Sequence, residues 1–243
     1  MLIEVPPEEF AGVLDDVAAG ALAEAGIDGP PVDPFVLAHV YGITVAEDAA
    51  QAGRGRYVRL GGRRGHRPKP AVLLRPEERA ERSHWALAHE IGEHLAIRVF
   101  GRLNVAPREA PGNARELVAN HLARRLLLPS PWILEDGRAS GWDLLWLKQR
   151  YVTASHEVHV RRMLELPPPV IVTIIDKGKV YFRRSNLMRR VPPMAEVERE
   201  CQRRASAEAR AVSGEALPLR VQAWPVHEPG WKREILRTEV EEW

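Results

Sequence analysis

Trp85-Ala86-Leu87-Ala88-His89-Glu90-Ile91-Gly92-Glu93-His94 is the stretch from which the rest of this chain is best read. A metal-binding helix of the form His-Glu-x-x-His sets its two imidazoles about 40° apart on one face, so that both reach one ion with the Glu beside them. Here the position four after His89 is Glu93, and the second histidine arrives one step late, at His94. On a regular helix that places His94 about 140° round from His89. Three readings follow. Glu93 is the second ligand through a carboxylate oxygen, or a one-residue bulge brings His94 into register as the alternative second ligand, or the site holds no metal. The first asks for no distortion of the helix and is preferred.

A mononuclear zinc site that hydrolyses a bond needs three protein ligands and an open fourth position. With His89 and Glu93 supplying two, the best-placed third ligand is Glu116, which opens the apolar run Glu116-Leu117-Val118-Ala119-Asn120-His121-Leu122-Ala123 on a neighbouring helix. One imidazole with two carboxylates is a harder, more anionic set than two imidazoles with one carboxylate, so the expected cofactor is one Zn2+ or another divalent ion held with weaker zinc selectivity. Glu90 is the expected catalytic residue, taking a proton from water and passing it to a leaving amine. His84, His94 and His121 are near enough in the proposed arrangement to line the same cleft. His156 and His159 read as surface residues. Trp85 is expected to pack the metal helix on the sheet, and Trp142 and Trp146 to pack a helical hairpin.

The composition suits a folded globular chain: 243 residues, 45% apolar, 28% charged, with 20 prolines that mark loops and connectors. A net charge of +2 creates no broad field for nucleic acid, although arginines cluster at Arg54 to Arg67 and Arg183 to Arg190. The single cysteine, Cys201, rules out a disulfide within the chain and a cysteine zinc cluster, so any metal is held by His and carboxylate. No apolar run approaches the roughly 20 residues of a membrane span, and Met1 to Pro6 lacks the pattern of an export signal, so no membrane partner and a cytoplasmic location are expected. Neither Gly-rich phosphate loop is present, and no internal repeat is seen.

Around the metal helix, apolar spacing predicts helices over 8–26, 33–41, 76–100 and 114–128. Residues 56–60 and 71–74 read as strands joined by the turn-forming Gly61-Gly62-Arg63-Arg64-Gly65, and the loop 103–113 borders the cleft. Two helices fit 143–164, split near Val152-Thr153 in the manner of a helix-turn-helix. After Pro167-Pro168-Pro169 come a hairpin turning at Asp176-Lys177-Gly178-Lys179, a helix over 194–210, and strands over 219–224 and 235–240.

Two motifs in order resemble the ImmA/IrrE family of zinc metallo-endopeptidases. One is the aromatic-x-Leu-Ala-His-Glu-Ile-Gly helix, here Trp85 to Glu93, and the other is Glu116-Leu117-Val118-Ala119-Asn120 with Leu126-Leu127-Leu128-Pro129, some 27 residues on. The likeness spans roughly residues 30 to 166. It implies a minimal zincin-like fold, a small twisted sheet packed on the metal helix, with His89 and Glu116 as ligands and Glu90 as base. The family's second histidine falls on Glu93. It also implies a narrow-specificity endopeptidase that cleaves a partner protein, typically a helix-turn-helix repressor, to switch on stress-response or mobile-element genes.

The expected class is therefore α+β: a zincin-like domain over 1–131, a helix-turn-helix-like segment over 132–166, and a small α+β appendage over 167–243. The alternative function is a catalytically inactive relative serving as a protein-binding or DNA-binding regulatory module, with 143–165 as the element that would meet nucleic acid.

Overall fold

A computed structural model describes residues 5–61, 68–106, 113–188 and 190–240. Its longest described helix is Ala80–Arg102, which is apolar at Leu87, Ile91, Leu95 and Val99 and so buries a stripe at spacings of four along its length. Numbered in chain order, this is α3, preceded by α1 (Pro7–Glu24), α2 (Pro34–Val40), β1 (Thr44–Glu47), β2 (Gly55–Leu60) and β3 (Lys69–Leu74). It is followed by α4 (Ala114–Leu127), α5 (Ser130–Ala139), α6 (Leu144–Arg150) and α7 (His156–Met163). The remaining elements are β4 (Val170–Asp176), β5 (Lys179–Ser185), α8 (Glu196–Glu208), β6 (Val212–Ala216), β7 (Leu219–Glu228) and β8 (Trp231–Val240). The fold is α+β.

The chain divides into two compact units, residues 1–155 and 156–243. The expected limits at 131/132 and 166/167 do not coincide with that division. Helices α6 and α7, read from sequence as one pair, fall in different units.

In the first unit β3 lies between its two neighbours, in the order β1-β3-β2, parallel to β1 and antiparallel to β2. The turn expected at Gly62 to Gly65 lies outside the described residues. Helix α2 starts as its sequence asks, with the Asp33 carboxylate accepting from the Phe35 N–H at 2.8 Å and Pro34 in the first turn. Helix α3 begins four residues later than expected from Pro76. Glu77, instead of opening the helix, takes Arg75 and Arg82 at 3.1 Å each and Arg54 at 3.5 Å, while the Arg75 N–H continues the strand pairing to the Arg54 carbonyl at 2.9 Å. Leu87, Ile91, Leu95 and Val99 meet Leu14, Val17, Leu37, Val72, Val118, Leu122 and Leu126 in one core. Pro129 and Pro131 end α4 as expected, yet they also open α5, an unexpected helix, because proline fits a first helical turn. Trp142 is buried against Gly137 of that helix, whereas Trp146 is 41% exposed with Arg150 over its ring.

In the second unit five antiparallel strands run in the order β5-β4-β8-β7-β6. Strand β4 is buried from Val170 to Ile175, as befits an interior strand covered on both faces. Helix α8 covers one face, where Cys201 and Ala205 meet Ile175, Val212, Val221, Ala223 and Leu236. Strand β6 escaped the sequence reading because Val212-Ser213-Gly214-Glu215-Ala216 carries one large apolar residue; Gly214 is there because a side chain would run into the Cys201 sulfur. His159 is 1% exposed, so its expected surface position is corrected: it lies on the buried side of α7 with Val158, Val160, Arg162 and Met163.

Candidate metal centre

Helix α3 is a continuous α-helix through residues 80–102, with no bulge at Gly92. Glu93 therefore lies on the His89 side and His94 does not. The His94 ring sits between Tyr41 and Tyr57, with centroids at 5.7 and 5.8 Å, and its Nδ1 is 3.0 Å from the Tyr57 hydroxyl. Burial, with Arg98, Arg59 and Arg115 adding to it, pushes the His94 pKa down, so the neutral ring is favoured there. The alternative of His94 as second ligand is set aside on this geometry.

His89, Glu93 and Glu116 come together: one ligand atom from each lies within 4.8 Å of the others. The close approach of α4 to α3 at Gly92 and Ala119 makes this possible. His89 Nε2 is 3.4 Å from Glu116 Oε2. Two donors held about 2.1 Å from one ion at a tetrahedral angle stand about 3.4 Å apart, so this pair has the separation a zinc site needs. Asn120, one turn beyond Glu116, donates from Nδ2 to Glu116 Oε1 at 2.9 Å and leaves Oε2 turned towards His89. Arg115 stands 3.6 Å from Glu93 Oε2 and bonds the Glu93 carbonyl at 3.4 Å.

The cleft is about 250 Å³ and is lined by Arg54, Gly55, Trp85, Ala86, His89, Glu90, Glu116 and Asn120. Trp85 is a wall of this cleft. Glu90, 8% exposed, sits beneath it against Gly55 at the start of β2, where an added β-carbon would stand 3.0 Å from Glu90 Oε1. Burial pushes the Glu90 carboxyl above its usual range; Glu93 and Glu116 push the same way, while His89 and a backbone hydrogen bond from Tyr57 oppose them. A carboxyl with a raised pKa in a cleft is suited to accept and return a proton.

None of the three histidines expected to line the cleft, His84, His94 and His121, does so, whereas the expected ligand His89 does. His84 stacks edge-on to Phe35 with a buried Nδ1, and His121 pairs with Arg124 and the Phe10 ring. The stretch 107–112 of the loop expected to border the cleft lies outside the described residues. Sequence reasoning gave no role to Arg54, Gly55, Arg115 or Asn120. The i,i+4 spacing of Glu116 and Asn120 is a signal that could have found the last of these.

The whole fold has a known counterpart. A Mycobacterium tuberculosis transcriptional regulator of solved structure is similar at a TM-score of 0.63 and 17% identity, over 93% of this chain and 86% of that one. At that identity the likeness speaks for the fold alone. No protein-family model matches the sequence, and no curated protein matches it. Among the described residues no helix is long and apolar enough to cross a membrane.

Proposed function

We propose that this chain is a metal-dependent endopeptidase of narrow specificity, of the ImmA/IrrE kind, that cuts a partner protein in the cytoplasm and thereby relieves repression. A helix-turn-helix repressor is the partner class that the resemblance implies. The observation that carries the reading is the meeting of His89, Glu93 and Glu116 beside the buried Glu90. That donor set fits a divalent cation, since it supplies one imidazole and two carboxylates and the His89–Glu116 spacing matches tetrahedral coordination. A zinc ion held there supplies Lewis acidity, polarising a carbonyl and lowering the pKa of water.

The protein's own groups do the rest. Glu90 accepts the proton of the attacking water and returns it to the departing amine. Asn120 holds Glu116 in its orientation. Strand β2, which pairs with β3 and has no second partner among the described residues, offers its free edge to an extended segment beside Glu90.

The test is a comparison of new protein N-termini in host extract treated with the zinc-loaded wild type and with Glu90→Gln. One or a few metal-dependent cuts that vanish with Glu90→Gln are expected. Identical profiles from a zinc-loaded wild type and the variant would refute the activity.

One observation favours a second reading. Arg115 beside Glu93 offers that carboxylate a cation from within the chain, as suits a relative that keeps the fold as a binding or regulatory module. Such a protein purifies without stoichiometric metal and leaves both profiles the same.

A further inference from the structure

The second unit carries an exposed feature that the metal cleft does not use. The β4–β5 turn, Lys177-Gly178, lies beside the β7–β8 turn at Pro229-Gly230, because β4 pairs with β8 and the Lys177 N–H bonds the Lys232 carbonyl at 2.9 Å. Tyr181, 61% exposed, and Trp231, 41% exposed, emerge there, each with its ring centroid 5.8 Å from the Arg233 guanidinium. Arg233 is fixed by Asp176 at 2.6 and 2.8 Å and by Glu157 at 2.7 Å, so the two rings flank a held cation. Lys177 Nζ is 5.4 Å from the Trp231 ring. Lys179 and Lys232 are exposed beside it. Thus three of the chain's five lysines gather at one end of one sheet, in a chain whose other cations are almost all arginine.

From this geometry we infer that Tyr181 and Trp231, with Lys177, Lys179 and Lys232, form a binding surface for single-stranded nucleic acid. Exposed flat rings stack on unpaired bases, and ammonium groups around them meet the phosphates between those bases. A membrane surface fits less well: the tips of both turns are lysine, proline and glycine, with no apolar residue projecting beyond them to enter a lipid layer. An added peptide strand fits less well too. The outer strand β5 is irregular opposite Ile174/Ile175, with Tyr181 as the extra residue, and such a bulge interrupts the ladder that an incoming strand would extend.

The inference stands apart from the proposed peptidase. It is tested on the full chain by fluorescence anisotropy with an oligothymidylate of about 12 nucleotides, a length that spans one such platform. Binding is expected, with a slope of log K on log salt of about −2, given about −0.7 per phosphate neutralised on a single strand. Trp231→Ala with Tyr181→Ala should weaken it roughly tenfold or more through lost stacking. Lys179→Glu with Lys232→Glu, which changes only exposed side chains, should weaken it and flatten the salt slope. Glu90→Gln should leave it unchanged.

Absence of binding at low salt, tighter binding of the matching duplex, or equal affinity in the lysine variant would overturn the inference. So would displacement of the oligonucleotide by phosphatidylserine vesicles at lower concentration than by competing single strand, or by a polyglutamate peptide just as well as by single strand.

Discussion

A β-carbon built on Gly92 would stand 2.6 Å from the carbonyl oxygen of Ala119, so α3 and α4 touch backbone to backbone at the level of the candidate metal centre. This contact sets the distance between His89 and Glu116, whose 3.4 Å separation leaves little slack. Gly92→Ala must push the helices apart, because the obstacle is main chain and cannot rotate away. A loss of about 1–3 kcal/mol in stability is expected from overpacking, together with weaker metal binding. Urea unfolding and a chelator competition on the same preparation measure both.

Glu93→His restores two imidazoles four residues apart on a continuous helix. Zinc should then be held more tightly relative to magnesium or calcium, since imidazole prefers zinc where carboxylate does not discriminate. Competition against a chromophoric chelator reads the change, and a variant with unaltered zinc affinity would show that residue 93 is not a ligand.

Gly55→Ala tests the seat of the base. Its new methyl group would meet Glu90 Oε1 at 3.0 Å and Cγ at 3.1 Å, so the carboxylate must shift by a few tenths of an ångström. On the proposed activity, cleavage should fall roughly tenfold or more, as it does when reacting groups are slightly misplaced, with the melting temperature nearly unchanged. Metal content should stay at the wild-type level.

The Tyr41 hydroxyl donates to Glu24 Oε2 at 2.7 Å, and burial together with that bond pushes its pKa up to about 12. A raised folded-state value means that the stabilisation is whole below the unfolded value of about 10 and drains away as pH rises towards 12. Tyr151, buried and bonded to Asp136, shifts the same way, so some alkaline loss remains without Tyr41. Urea unfolding of Tyr41→Phe should show a deficit near about pH 8 that closes as pH approaches about 12.

In the second unit the Glu198 carboxylate accepts two bonds from Arg183 at 2.9 Å, one from the Ala195 N–H at 2.8 Å and one from the Thr238 hydroxyl at 2.7 Å. Glu198→Ala takes the carboxylate from the largely buried Arg183 guanidinium, which keeps only the Thr173 hydroxyl and the Pro192 carbonyl, and costs about 3 kcal/mol. Equilibrium unfolding followed by circular dichroism is the check, and a loss below about 1 kcal/mol would mean that water replaces the carboxylate at small cost.

The meeting of His89 with Glu93 was legible because the two stand one helical turn apart, and Glu116 because it opens an apolar-periodic neighbouring helix, whereas Asn120, one turn beyond Glu116, was passed over. Strands with an apolar run, such as Val170 to Ile175, were legible for a similar reason. Where one residue type serves two purposes the sequence is silent. Pro131 both follows one helix and opens another, and Glu77 looks like a first-turn carboxylate although three arginines claim it. Arg54 and Gly55 enter the cleft only because β2 folds back beside α3, a long-range pairing with no local mark. His159 could not be placed by sequence, since a histidine on a short helix gives no sign of which side is covered.

Strand β2 has β3 on one flank and, among the described residues, no strand on the other, with Glu90 at its start. A polypeptide that lies along that flank must first give up its own helix or hairpin over several residues. On the proposed activity, turnover follows how often the target's segment melts, so a heat-softened target is cut sooner than the same target kept cold, whatever the sequence at the scissile bond.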